Sequence, residues 1–159
     1  MKFVGPNIFI MKHYKLLFLA LVVCSGQSLL AQENTKIIFH QPENLARAKA
    51  PFSEAVQAGN LFFLAGQIGM DRSAGKLAEG GIQGETEQAI KNIQGVLKFH
   101  GLSLANVVKC TVILSDINDF KAFNEIYVKY FTQKPARTTY AAAGLAVGAK
   151  IEIDVIAVK

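Results

Sequence analysis

The chain has 159 residues, 51% of them hydrophobic and 18% charged, enough for one domain with a real core and too apolar for a disordered chain. Lys and Arg number 17 against 12 acids, but Lys2, Lys12 and Lys15 precede residue 32, where no acid stands, so the remainder carries 14 against 12, a net of +2. That near-neutral body excludes an electrostatic footprint for nucleic acid, two cysteines exclude a disulfide-stapled mini-protein, and the absence of Trp excludes a Trp stacking platform.

Residues 11–31 read MKHYKLLFLALVVCSGQSLLA. Lys12 and Lys15 give a basic start, residues 16–23 an unbroken apolar run, and Ser25, Gly26 and Ala31 a small-residue end. This is the layout of a secretory signal peptide. The run is about half the ~20 residues needed to cross a bilayer, so no stable membrane span is expected. Met11 reads as the start, because residues 1–10 add nothing to the signal. The expected organisation is an extension and signal over 1–31 and a single domain over 32–159, in the periplasm or secreted. Val23 before Cys24 disfavours lipidation, which needs a small residue there. Cleavage leaves Cys110 without a disulfide partner, so the domain must be held by its core or by oligomerisation.

Residues 37–39 form a short apolar strand, and 40–54 an irregular polar stretch with Pro42 and Pro51. Two apolar runs, 55–58 and 61–65, flank Gly59-Asn60, which predicts a hairpin. Residues 71–84 read as a loop. Ala89, Ile90, Ile93, Val96 and Leu97 then recur at helical spacing, with Glu85 and Glu87 expected in the first turn, Lys98 and His100 in the last and Gly101 as the stop. Over 107–114 a half-buried strand is expected, with Val108, Cys110, Val112 and Leu114 on its apolar face. Cys110 there is an inert core thiol. Asn118 is placed to cap a second helix carrying an aromatic stripe of Phe120, Phe123, Tyr127, Tyr130 and Phe131. Pro135 ends it, and strands follow over 137–142 and 151–158.

The order β, ββ, α, β, α, ββ predicts an α+β fold with two helices on one face of a mixed sheet. The opposite face is also apolar and no third helix exists to cover it. A homo-oligomer that packs sheets together is therefore expected.

Few residues are arranged for chemistry. No cluster has metal-ligand spacing, His40 and His100 fall in unrelated segments, and neither a nucleophile elbow nor a phosphate loop is present. Gly80-Gly81-Ile82-Gln83-Gly84 precedes a helix but lacks a preceding strand and a lysine, so it reads as a flexible loop. Arg137 stands out, because a lone arginine entering a small, apolar strand needs an anionic partner. That partner is either Glu152 or Asp154 in a salt bridge, or the carboxylate of a ligand. Glu152, inside the most apolar strand, is either part of a solvated face or a partly buried carboxylate that orients or deprotonates a water.

Five segments carry a resemblance. Ala50-Pro51-Phe52-Ser53-Glu54-Ala55-Val56, Leu64-Ala65-Gly66-Gln67-Ile68-Gly69, Asn118-Asp119-Phe120 with Phe123-Asn124-Glu125-Ile126-Tyr127, Pro135-Ala136-Arg137 and Ile151-Glu152-Ile153 stand in this order. Together they resemble the signatures of the reactive-intermediate deaminase (Rid, or YjgF-like) family, from about Pro51 to Lys159. The resemblance implies a chorismate-mutase-like α+β fold and a homotrimer around a central barrel, with ligand sites in clefts between subunits. It implies hydrolysis of 2-imino or enamine acids to 2-keto acids and ammonia, without metal or organic cofactor.

Carried over residue by residue, Arg137 clamps the substrate carboxylate and Glu152 positions the attacking water. Gly66 lines the cleft, and Asn124 matches a family asparagine near the site. Phe52 stands where many deaminating members have tyrosine, Thr139 where many have cysteine, and Glu54 in place of the usual glutamine. The export signal is a further departure, since the archetype works in the cytoplasm. Three functions are weighed: an exported imine deaminase, a module that binds a small carboxylate without turnover, and nucleic-acid processing. The net charge and the signal speak against the third.

Overall fold

The computed structural model describes residues 35–42 and 50–159. The expectations for the signal segment, Met11 and Cys24 lie outside them. Among the described residues there are eight strands and two α-helices, in the predicted order but for two short strands added before the first helix. They are β1 (Ile37–His40), β2 (Ala55–Ala58), β3 (Leu61–Ile68), β4 (Met70–Asp71), β5 (Lys76–Leu77), α1 (Gly81–Phe99), β6 (Val107–Leu114), α2 (Phe120–Tyr130), β7 (Ala136–Ala141) and β8 (Ile151–Val158). Six strands form one sheet in the order β1-β2-β3-β8-β6-β7. Its pairs are antiparallel except β6 with β7, which makes it mixed.

Alternation builds the core. In β8, Ile151, Ile153, Val155 and Ala157 are buried beneath the helices, whereas Glu152, Asp154, Ile156 and Val158 face the other way. From α1 come Ala89, Ile90, Ile93, Val96 and Leu97, and from α2 Phe123 and Tyr127, with Phe131 just beyond it. The hairpin pairs Ala58 with Leu61 across Gly59-Asn60, as its turn chemistry predicts. The helix-free face keeps Phe39, Phe63 and Val108 exposed, in line with the apolar character read from the sequence.

Several local expectations are corrected. Residues 71–84 contain the small β4–β5 hairpin, and α1 starts at Gly81. Glu85 is thereby carried past the first turn into a buried position, where its carboxylate accepts the Lys150 backbone N–H at 2.8 Å. The register of β6 against β8 shifts between Val107 and Lys109. This bulge hands the buried position to Val107 and leaves Val108 46% exposed. Asn118 does not cap α2: it lies in a 3-10 turn, Ile117–Asp119, that leads into the helix and is capped by Asp116, whose Oδ1 accepts the Asn118 backbone N–H at 2.9 Å. Gly101, in the left-handed region at φ 71°, follows the end of α1 as expected.

Candidate functional site

Arg137 lies on β7, the edge strand, in register with Cys110 of β6. Cys110 is fully buried on the helix-covered face, and the parallel register puts Arg137 on that same face, under α2. Its guanidinium carbon lies 4.6 Å from the Tyr127 ring centroid, 5.1 Å from Phe123 and 5.6 Å from Phe120. Such contacts favour a cation and fix its plane, at about 0.5–2 kcal/mol each depending on desolvation. Nη1 donates to Asn124 Oδ1 at 2.7 Å. Among the described residues no acid pairs with Arg137, so the salt bridge to Glu152 or Asp154 is not formed. The aromatic stripe is therefore core on one side and a cradle for the arginine on the other.

This cradle opens into a cavity of about 600 Å³ lined by Arg137, Asn124, Tyr127, Phe131, Lys134 and Pro135, among others. Tyr127 and Thr139 each bury a hydroxyl oxygen that has no hydrogen-bond partner among the described residues. Burial pushes the Tyr127 phenol well above its ordinary range and also raises the Cys110 thiol. A thiol held protonated is a poor nucleophile, which agrees with Cys110 as an inert core residue.

Glu152 is built differently. It sits on the helix-free side of β8, paired with Ile68 of β3 and Ile113 of β6. The register of β3 against β8 slips between Leu64 and Gln67, so Ala65 and Gly66 together face one residue of β8. That bulge turns Gln67 inward, where it is 3% exposed, and brings the Gly66 backbone onto the Glu152 side chain. A Cβ added at Gly66 would fall inside the Glu152 carboxyl group. Only glycine lets the carboxyl lie there. Burial first, and the like charge of Asp154 second, raise its pKa above the ordinary carboxylate value.

A second cavity, of about 420 Å³, joins Glu152 to Gly66 and Phe52. Gln67, which stands in one of the quoted segments, also lines it, as do Met70, Arg72 and Asn92, which the sequence did not single out. Asn92 Nδ2 donates to the carbonyls of Ile68 and Met70, at 3.1 and 3.0 Å, and so pins the strand end beneath the glutamate. Arg72 Nη2 donates to Gln67 Oε1 at 2.6 Å.

The predicted site residues thus fall into two groups. Arg137 and Asn124 share one cavity, with Thr139 on the same side of β7; Glu152, Gly66 and Phe52 share the other. The two linings have no residue in common. Elsewhere the fold brings together His40 and His100, read as unrelated, with ring centroids 4.4 Å apart beside Phe62. Burial lowers the His100 pKa, and the neighbouring His40 lowers it further. Among the described residues no group of three or more His, Cys, Asp or Glu side chains is placed to hold a metal ion. No helix among them is long and apolar enough to cross a membrane.

Residues 42–159 match the protein family described as endoribonuclease L-PSP. A human protein named 2-iminobutanoate/2-iminopropanoate deaminase is 47% identical over 113 residues, which span 70% of this chain and 82% of that protein. Reactive Intermediate Deaminase A of Arabidopsis thaliana chloroplasts is 45% identical over 116 residues, 72% of this chain and 62% of that one. Among solved structures, RidA from an Antarctic Psychrobacter species superimposes with a TM-score of 0.67 at 31% identity, covering 80% of this chain and 100% of that one.

Proposed function

The chain belongs to the endoribonuclease L-PSP (Rid/YjgF) family, and from that premise we propose that it is a deaminase of 2-imino acids, yielding 2-keto acids and ammonia. The observation that carries this reading is Arg137, a cation fixed by three rings and one neutral amide, facing a cavity with no carboxylate partner among the described residues. A guanidinium so held is a bidentate receptor for a substrate carboxylate.

The chemistry asks little more. Water oxygen adds to the imine carbon, and the C=N π electrons move to nitrogen. Glu152 takes a proton from the water and returns it to nitrogen. Glu152 then takes the hydroxyl proton of this carbinolamine and passes it to the amine, so that the carbonyl forms as the C–N bond breaks and ammonia leaves. A carboxyl with a raised pKa exchanges protons nearer neutrality than an ordinary one, which suits it to both transfers. No step needs a metal or organic cofactor.

Arg137 and Glu152 line separate cavities, and the helix-free sheet face leaves Phe39, Phe63 and Val108 exposed. Both observations support a homotrimer in which one copy's Arg137 meets another's Glu152 across a cleft. The basic start and apolar run of residues 12–23 support export of the chain.

A second reading is favoured by Phe52. It lines the Glu152 cavity without the hydroxyl that tyrosine would offer, as expected of a protein that binds a small carboxylate without hydrolysing it.

The deciding experiment uses the full chain and its Arg137→Ala variant. An amino-acid oxidase generates 2-iminopropanoate and 2-iminobutanoate, and semicarbazide trapping reports their lifetime. Wild type should shorten it, and the variant should lose about a hundredfold in kcat/KM. Equal activity of the two would remove Arg137 from the site. Thermal stabilisation by 2-keto acids without imine removal would establish the second reading. A single-copy molecular mass by light scattering, with full activity, would refute the cleft.

A further inference from the structure

The Arg137 cavity holds a second cation. Lys134 lines it three residues before Arg137, and no acid does. Among the described residues neither cation forms an ion pair. The backbone of Lys134 is unusual as well. It adopts φ 56°, in the left-handed region, immediately before Pro135. A side chain disfavours that region, and a following proline restricts the residue before it further. Its N–H donates to the Phe131 carbonyl at 3.2 Å, which closes the turn out of α2 in this form. Glycine or asparagine would relieve the strain at such a turn, yet the chain carries a lysine there. Strain kept at a cavity mouth points to a use for the side chain. The remaining lining, with Tyr127, Val128, Phe131 and Pro135, is largely apolar and suits a carbon chain between two charged ends.

We propose that this cavity selects doubly anionic substrates, the imines of 2-keto dicarboxylic acids, with Arg137 on the carboxylate beside the imine and Lys134 on the distal one. The substrate assignment rests on the deaminase reading above. Hydrolysis is as written there: water adds to the imine carbon, ammonia leaves, and a 2-keto dicarboxylate is released. The distal carboxylate takes no part in bond changes. It contributes only binding, so its effect belongs in the discrimination between dicarboxylate and monocarboxylate imines.

The test separates charge from backbone. Lys134→Asn tolerates the left-handed conformation and removes the charge, whereas Lys134→Arg keeps the charge. Imines are generated from glutamate and from 2-aminobutyrate with the corresponding oxidases, and removal is followed for the full-length wild type and both variants. The ratio of kcat/KM for the glutamate imine over the 2-aminobutyrate imine should fall about fivefold in Lys134→Asn, the size of one partly exposed ion pair, and be retained in Lys134→Arg. An unchanged ratio in Lys134→Asn overturns the proposal while leaving the deaminase reading intact. If wild type removes neither imine, the deaminase reading fails, and calorimetric titration with 2-oxoglutarate and 2-oxobutanoate decides the rest. Preferential 2-oxoglutarate binding that Lys134→Asn weakens supports a dicarboxylate site, and equal binding in both proteins overturns it.

Discussion

The Arg137 cavity and the Glu152 cavity solve opposite problems. In the proposed reaction Arg137 stays charged and oriented, and it is surrounded by what a cation favours: three ring faces and an amide oxygen. Glu152, in the same proposed reaction, gives and takes a proton, and it is surrounded by what a carboxylate disfavours: burial and the like charge of Asp154. One group is held by added contacts, the other by a missing Cβ at Gly66. The proposed affinity determinant and the proposed proton carrier are therefore tuned by different means on one sheet, and they should fail differently when perturbed.

The largest effect is expected at Glu152. Glu152→Gln keeps the shape and removes the proton carrier, and kcat should fall by about 10²–10⁴-fold. Stability should move the other way. A carboxyl whose folded pKa is raised binds more protons in the folded than in the unfolded state, between the ordinary value and the raised one. Ionisation therefore costs stability as pH rises through that window, and the cost persists at neutral pH. Thermal melts should show Glu152→Gln more stable than wild type at neutral pH, with the difference closing below the ordinary carboxylate range. An unchanged difference at low pH would mean that desolvation is not the cause of the gain.

Gly66→Ala attacks the same cavity by crowding. The new Cβ must displace the Glu152 carboxyl or the β3 bulge, at about 1–3 kcal/mol in stability and about a hundredfold in kcat/KM. The readouts are urea unfolding and imine removal. Asn124→Ala, by contrast, leaves space and removes the acceptor that fixes Arg137 Nη1. The rings remain, so the guanidinium stays in place but loses one orienting bond. About a tenfold rise in KM with kcat nearly constant should follow. A fall in kcat, in place of the rise in KM, would erase the distinction between the two cavities.

How legible this was in the sequence differs between the two cavities for a physical reason. Alternation in β8 marks Glu152 as facing away from the core, and that placement is observed. The same logic applied to β6 misplaces Val108, because a one-residue bulge shifts the register there without changing composition. A bulge in β3 likewise carries the strand past residue 65 and turns Gln67 inward. Arg137 could not be assigned to a face from its own short strand. The cross-strand register with Cys110 decides it, and that pairing joins residues far apart in sequence. The helical spacing of Phe120, Phe123 and Tyr127 was visible, but periodicity cannot distinguish packing against apolar neighbours from packing against a guanidinium. His40 and His100 meet because the edge of the sheet passes the end of α1, a tertiary event with no local signature.

The smallest expected effect is the most informative about the Glu152 cavity. Phe52 is 56% exposed, so Phe52→Tyr adds a hydroxyl where a para substituent meets little steric resistance. Stability should change by no more than about 0.5 kcal/mol. If the new hydroxyl reaches the water that Glu152 orients, one neutral hydrogen bond of about 0.5–1.5 kcal/mol should raise kcat/KM about two- to tenfold. The gain should vanish in the Glu152→Gln background, because a water no longer activated gains nothing from a better orientation. A gain that persists in that background would place the hydroxyl on the substrate, on the Arg137 side of the reaction. Phe52 would then belong with the affinity determinants, although within one chain it lines the cavity of the proton carrier.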